Sequence, residues 1–221
     1  MTDPIYCRIA MFIVALAAWL GLGIQFYATQ TNPNLASVSP FERTIRYLEY
    51  FTILTNLLVA VATTISLIAP KTTIGRFLSR PSVQTAIAVY IALVGLIYNL
   101  VLQGLHEFSG PAYVADMLTH DIVPILYVVY WVVCVKKGGL TWKMPIVWTI
   151  YPLVYLGLVL IRGPFTGRYP YPFLDVGTHG LGGVMIHSVV VMIVFLVLGE
   201  IFVVADRLLA RLPSQRPELA Q

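Results

Sequence analysis

The 221-residue sequence predicts an all-α integral membrane protein, a bundle of six transmembrane helices with both termini cytoplasmic. Three observations carry that expectation. The chain is 58% hydrophobic and only 11% charged, where soluble domains are roughly 25% charged. Six apolar segments, at 9–28, 47–68, 83–105, 122–135, 145–162 and 183–205, approach the roughly 20 residues that cross a bilayer. The basic residues fall unevenly on the loops between them. With the N-terminus inside, Arg8, Lys71, Arg76, Arg80, Lys136, Lys137, Lys143, Arg207, Arg211 and Arg216 are cytoplasmic. Only Arg43, Arg46, Arg162 and Arg168 are then outside, the sidedness that basic loops impose.

The first segment is longer than the apolar run of a signal peptide, about 7–15 residues, and is expected to be a retained span. The polar connection after it ends in Ser39-Pro40-Phe41-Glu42, a capping box with proline at the first helical position. The second helix should therefore begin near Pro40 and run unbroken into the membrane through Tyr50. Ala69-Pro70 ends it, and Pro81 opens the third. The fourth segment is short and should begin upstream near Ala115, with Pro124 bending it. Trp142 marks an interface beside the basic 136–143 loop. The fifth span ends at Arg162-Gly163-Pro164. The connection that follows, Tyr169-Pro-Tyr-Pro-Phe-Leu-Asp175 and then a glycine-rich stretch to Gly183, is too rich in Pro and Gly for a regular helix, and is expected to fold over the bundle mouth as a lid. Residues 1–211 form one transmembrane domain, and 212–221 a polar tail.

Cys7 and Cys134 both fall toward the cytoplasmic side, so a structural disulfide is not expected, and no Cys-x-x-Cys motif occurs. Internal repeats, phosphate-binding glycine loops and a Gly-x-Ser-x-Gly nucleophile elbow are also missing. The net charge of +4 reflects the cytoplasmic bias of basic residues and implies no nucleic-acid partner.

The second helix carries the one polar stripe that enters a span. Arg46, Glu49, Thr52 or Ile53, and Asn56 share a face at helical spacing. Such groups serve either as glue between helices or as a site, and on the stripe alone glue is the better account. The wider distribution favours a site. All four histidines, His106, His120, His179 and His187, lie in the outer half, with Glu49, Glu107, Asp116, Asp121 and Asp175. A hydroxyl–imidazole pair would suit nucleophilic catalysis, with Thr52 or Thr55 attacking a carbonyl. Thr52 lies roughly 7 Å below Tyr47 at 1.5 Å per residue, a depth similar to that of His120. Three histidines and a carboxylate could instead hold zinc, although no His-x-x-x-His spacing occurs. A haem held by two histidines would want a second pair on the inner side, and none is present.

Tyr50-x-Thr52 at the start of the second helix, with His120 at the start of the fourth in a six-helix chain, resembles the androgen-induced and androgen-dependent TFPI-regulating protein family. The Tyr169–Asp175 run is similar to the family's bacterial branch. The resemblance implies a threonine-type membrane hydrolase that cleaves fatty acid esters of hydroxy fatty acids, with Thr52 as nucleophile and His120 as base, no cofactor and no metal. With the basic split and the outer histidine layer, the site is expected to face outward from the plasma (bacterial inner) membrane, its lipid ester drawn from the outer leaflet. The proline-rich fifth connection departs from the animal members and leaves the exact ester open.

On this scheme His120 is kept neutral by partial desolvation. Asn56, Asn99 or Gln103 could donate to the oxyanion, with Tyr127 and His187 as further lining groups. Asp121 or Asp175 would orient His120, and Glu49, paired with Arg46, would steady the helix end against the lid at Asp175 or Arg168. A non-enzymatic lipid-binding or carrier protein is the competing class, and a His-ligated zinc hydrolase the competing chemistry.

Overall fold

The computed structural model describes residues 4–104 and 108–212. Among these there is no strand, and six helices are long and apolar enough to cross a membrane: Ile5–Gln30, Phe51–Ile68, Pro81–Leu102, Pro111–Cys134, Met144–Thr166 and Val176–Leu209. Large apolar side chains stand exposed along them, such as Phe12, Ile13, Leu16 and Leu20 on the first and Ile186, Val189, Val190 and Ile193 on the last. Exposed apolar surface on that scale is matched to lipid rather than water. The chain divides into two compact units, Met1–Cys134 with four spans and Val135–Gln221 with two.

In the first unit α1 (Ile5–Gln30) packs on α3 (Phe51–Ile68), α6 (Pro111–Met117) and α7 (Val123–Cys134), while α5 (Pro81–Ile97) packs on α3 and α7. The buried face of α1, Cys7, Met11, Val14, Ala15, Ala17, Ala18, Gly21 and Leu22, is half Ala and Gly. Small residues let helices approach closely where no hydrophobic effect separates protein from lipid. Cys7 and Cys134 are joined in a disulfide, Cα atoms 5.5 Å apart, tying the start of α1 to the end of α7. This corrects the expectation of two unpaired thiols. Antiparallel helix order puts both residues at one end of the unit, and that adjacency decides the pairing where spacing in the sequence could not.

The second helix is not continuous. α2 (Pro40–Leu48) ends at Glu49, Tyr50 is extended (φ −81°, ψ 130°), and α3 starts afresh at Phe51. Neither Gly nor Pro stands at the break. Tertiary contacts hold α2 aside instead: the Tyr47 hydroxyl donates to the Leu22 carbonyl at 3.0 Å, and its ring meets Phe26 edge-on. Burial pushes the Tyr47 phenol up to about 12. The capping box forms as predicted, Ser39 Oγ accepting the Glu42 N–H at 3.2 Å. Arg46 pairs with Glu42 at 3.3 Å, one turn back, rather than standing in an unbroken stripe with Glu49. Glu49 is the C-cap of α2.

Ala69 and Pro81 bound α3 and α5 as expected, and the basic connection between them holds a short helix, α4 (Thr73–Leu78), capped by Thr72. Beyond Ile97, α5 widens into a π-helical segment at Tyr98–Leu102. The fourth span begins at Pro111, upstream of the expected start near Ala115, and Asp116 lies within its first helix. A second π segment, Leu118–Ile122, separates α6 from α7. Pro124 follows at once. It has no N–H to offer the His120 carbonyl, so the ladder reopens with Val123 N–H bonding Leu118 five residues back.

The second unit starts with a connection fastened by Asp206, whose Oδ2 accepts the N–H groups of Gly138 (3.0 Å) and Leu140 (3.2 Å). Lys137, 7% exposed, donates to the Val135 carbonyl at 2.6 Å. Desolvation lowers its ammonium pKa to about 8, against the opposing pull of Asp206. Trp142 carries the Arg207 guanidinium 4.4 Å above its ring. The helix pair α8 (Met144–Trp148) and α9 (Ile150–Thr166) runs past Pro164 and closes at Gly167, φ +65°. The glycine-rich stretch is helical, contrary to expectation: α10 (Val176–Leu209) begins directly after Asp175 and breaks only at Gly180 (φ 65°, ψ 165°), which a residue with a Cβ would adopt only with strain.

Candidate functional site

The site lies in the first unit, where the start of α3, the π end of α5 and the π segment before α7 converge. Thr52 is the second residue of α3 and 6% exposed. His120 Nε2 lies 3.2 Å from its Oγ1. The other imidazole nitrogen faces acceptors, Asp116 Oδ1 at 3.0 Å and the Asp116 carbonyl at 3.1 Å, with Thr119 Oγ1 at 3.3 Å. Nδ1 must therefore carry the proton, which leaves the Nε2 lone pair for the Thr52 hydroxyl. Hydroxyl, imidazole and carboxylate stand in a row, an arrangement chemically able to act as nucleophile, base and orienting acid.

Two helix irregularities make the convergence possible. In a π segment one extra residue per turn re-aims the side chains, and such bulges gather at functional sites. Gly21 of α1 and Gly95 of α5 let their helices press against the segment around His120. A Cβ on Gly95 would meet the His120 carbonyl at 3.0 Å, and one on Gly21 would meet Leu118 Cβ and Thr119 Cγ2 at 3.1 Å. Tyr98, the first residue of the other π segment, stacks on the imidazole with ring centroids 3.9 Å apart and planes 15° from parallel. Its hydroxyl donates to Asp116 Oδ2. Asp116 thus holds His120 with one oxygen and Tyr98 with the other.

The remaining expected residues distribute differently. Asn56, fully buried, joins the cluster by donating to the carbonyls of Thr52 (2.9 Å) and Thr119 (3.1 Å). Both N–H bonds are used, so it is a clamp between α3 and the π segment rather than an oxyanion donor. Asn99 is exposed and donates to Gly95 (3.0 Å) and to Asp121 Oδ1 (2.8 Å). Asp121 is therefore engaged beside the site, and the acid on the imidazole is Asp116. Gln103 is exposed at the end of its π segment. Thr55 is completely buried one turn below Thr52. Tyr127 lies two turns beyond His120 and donates to the Gln84 carbonyl at 3.4 Å, toward the opposite end of the unit.

Asp175 and His187 belong to the second unit. Asp175 caps α10 through the N–H groups of Gly177 (2.8 Å) and Thr178 (3.4 Å). The Thr178 hydroxyl, with those N–H groups, holds its carboxyl below the usual range. His187 Nδ1 bonds the Phe173 carbonyl at 3.0 Å, and its ring meets His179 edge-on. His106 and Glu107 lie outside the described residues.

Asp116 and Tyr98 are the site residues that the sequence did not single out. Asp116 had a signal, its i, i+4 spacing to His120, but among the outer-layer acids it was given no role. Tyr98 had none, because its place depends on where a π turn falls. Among the described residues no three His, Cys, Asp or Glu side chains converge to hold a metal ion. Comparison with known proteins adds no relative: no family model matches the chain, and no curated protein or solved structure is significantly similar to it.

Proposed function

We propose that the protein is a membrane-embedded hydrolase of lipid esters, with Thr52 as nucleophile, His120 as general base and acid, and Asp116 as the residue that orients the imidazole. The observation that carries this reading is the 3.2 Å approach of His120 Nε2 to Thr52 Oγ1, with Nδ1 already committed to Asp116. A nearly buried hydroxyl among lipid-matched helices suits a substrate that arrives through the bilayer, an amphiphile with its ester near the interface. The resemblance of Tyr50-x-Thr52 and His120 to the androgen-induced protein family supports the same chemistry. The excess of basic residues on the alternate loops supports cytoplasmic termini and a site on the outer side.

In the first step Thr52 Oγ1 attacks the ester carbonyl carbon while His120 Nε2 takes its proton. The imidazolium, held by the Asp116 carboxylate, then gives that proton to the leaving alkoxide as the C–O bond breaks. Water attacks the acyl-threonine, His120 accepts the water's proton, and the acid departs as the Thr52 oxygen is reprotonated. Thr52 stands in the first turn of an 18-residue helix, whose positive dipole end favours negative charge on the tetrahedral oxygen.

The test is turnover of a long-chain ester by purified protein in lipid nanodiscs. Thr52→Ala and His120→Ala should each abolish hydrolysis, and the double variant should be little worse, because members of one catalytic unit are strongly non-additive. Thr52→Ser should keep part of the activity and Thr55→Ala most of it. Undiminished turnover by Thr52→Ala would overturn the reading, and a variant that binds ester without the wild type ever hydrolysing it would move the protein to the lipid-binding class.

A further inference from the structure

We infer that Tyr98 is a positioning residue of this site, which sets both the plane and the basicity of His120 through Asp116; the inference rests on the hydrolytic reading above. Two contacts from one side chain carry it. The phenol ring lies flat on the imidazole, centroids 3.9 Å apart and planes 15° from parallel. The hydroxyl of the same ring donates to Asp116 Oδ2, while Asp116 Oδ1 takes the His120 Nδ1 proton at 3.0 Å. The ring blocks rotation of the imidazole out of line with Thr52. The hydroxyl draws charge from the carboxylate that stabilises the imidazolium.

Among the described residues, the side chains in contact with the His120 ring include Asp116, Thr119, Thr52 and Tyr98. Asp116 comes from its own helix, Thr52 from α3 and Tyr98 from the end of α5. Asp121, the next residue along, is held by Asn99 at 2.8 Å. α1 meets the segment through Gly21. Asp116 is therefore the anion in direct contact with the imidazole, and Tyr98 its partner from a second span. A phenol hydrogen bond to that anion makes the carboxylate a weaker acceptor and keeps the imidazole from holding its proton too tightly.

Removing the hydroxyl alone should then make His120 more basic. A more basic imidazole stays protonated to higher pH, and the protonated form cannot accept the Thr52 proton. Tyr98→Phe, which keeps the stacked ring, should shift the acid limb of kcat/KM upward by on the order of one pH unit. Tyr98→Leu, which loses ring and hydroxyl, should also lower kcat at the pH optimum by roughly tenfold, through loss of alignment. KM should change in neither.

The decisive readout needs no substrate. In histidine-labelled protein, NMR titration follows four imidazoles, His106, His120, His179 and His187, with His120 identified by its loss in His120→Gln. Tyr98→Phe should raise the His120 midpoint and leave the other three in place. An unmoved His120 midpoint overturns the inference, as does a change confined to KM. The two ideas fail separately: normal turnover by Thr52→Ala removes the nucleophile but not the Tyr98 effect on the midpoint. An unmoved midpoint beside an inactive Thr52→Ala removes only the role of Tyr98.

Discussion

The two ends of the first unit use the same kinds of residue to opposite effect. At the Thr52 end, a hydroxyl, an imidazole, a carboxylate and a phenol form one continuous chain of contacts. At the Cys134 end, Trp131 donates to Thr85 Oγ1 at 2.8 Å, Gln84 to the Tyr130 hydroxyl at 3.1 Å, and Tyr127 to the Gln84 carbonyl at 3.4 Å. Thr63 satisfies its own helix through the Val59 carbonyl at 2.7 Å, and Ser79 meets Ser66 at 3.3 Å. Trp131 and Tyr127 are more deeply buried than Thr52. What differs is ionisability. The named partners at the Cys134 end are neutral, and hydrogen bonds between neutral groups hold helices together without storing reactivity. At the Thr52 end a carboxylate and an imidazole lie almost within the apolar interior, where such groups are expensive and are kept for a task.

That contrast predicts mutations that separate activity from stability. The largest effect belongs to Asp116→Asn. An amide can donate to His120 Nδ1 and so favour the tautomer with its proton on Nε2, which cannot accept from Thr52. Ester hydrolysis should fall by about 10²–10⁴-fold, the scale seen when the orienting acid of a triad is lost, with the helix content by circular dichroism unchanged. If activity survives Asp116→Asn at the wild-type level, the two ends differ less than their chemistry implies.

Trp131→Phe at the other end should do the reverse. It removes one interhelical hydrogen bond, worth about 0.6 kcal/mol in a membrane, and should lower the thermal midpoint slightly while turnover stays at the wild-type rate. A large loss of activity with no loss of stability would show that the Cys134 end is coupled to the chemistry.

The smallest effect sharpens the rule through a third case, in the second unit. Lys137 is ionisable and nearly buried, but it donates to the Val135 carbonyl and is drawn by Asp206, both outside the Thr52 site. It should report through stability alone. Its pKa falls from 10.5 unfolded to about 8 folded, so the unfolded chain binds more protons between those values, and stability rises as pH increases from about 8 towards 10.5. Above pH 10 the raised Tyr47 phenol opposes it, because the unfolded chain then loses its proton first. Melting curves at pH 7.5, 8.5 and 9.5 should show a rise in the wild type that Lys137→Met lacks, with equal activities at all three. A parallel rise in both proteins would remove Lys137 as its source.

How much of this was legible in the sequence differs between fold and site. Six spans could be counted because hydropathy is additive along a chain, and Ser39, Pro40, Pro81 and Ala69 marked helix ends because caps are local chemistry. The α2–α3 break at Tyr50 was not legible, since it comes from Tyr47 reaching across to Leu22. The Cys7–Cys134 pairing depends likewise on which helix ends share a level. In the glycine-rich stretch before Gly183, propensity pointed away from helix, and the Asp175 cap with continuation into an apolar span outweighed it.

The site was half legible for a related reason. Thr52 and His120 stand out by type, and their helices place them at similar depth. Which acid meets His120 depends on the register of a π segment, and the upstream start of the helix at Pro111 brings Asp116 to the imidazole while Asp121 turns to Asn99. Asn56 could be recognised as important but not for its role, because donor and clamp use the same amide.

The most direct test of a reactive Thr52 end is covalent. Incubation with an activated long-chain ester that acylates rapidly and deacylates slowly, followed by proteolysis and mass spectrometry, should find one acyl group on the peptide that contains Thr52. The adduct should be absent in Thr52→Ala, much reduced in His120→Ala, and unaffected in Trp131→Phe. Turnover of the ester with no adduct at Thr52, or with the acyl group on another side chain, would contradict the account.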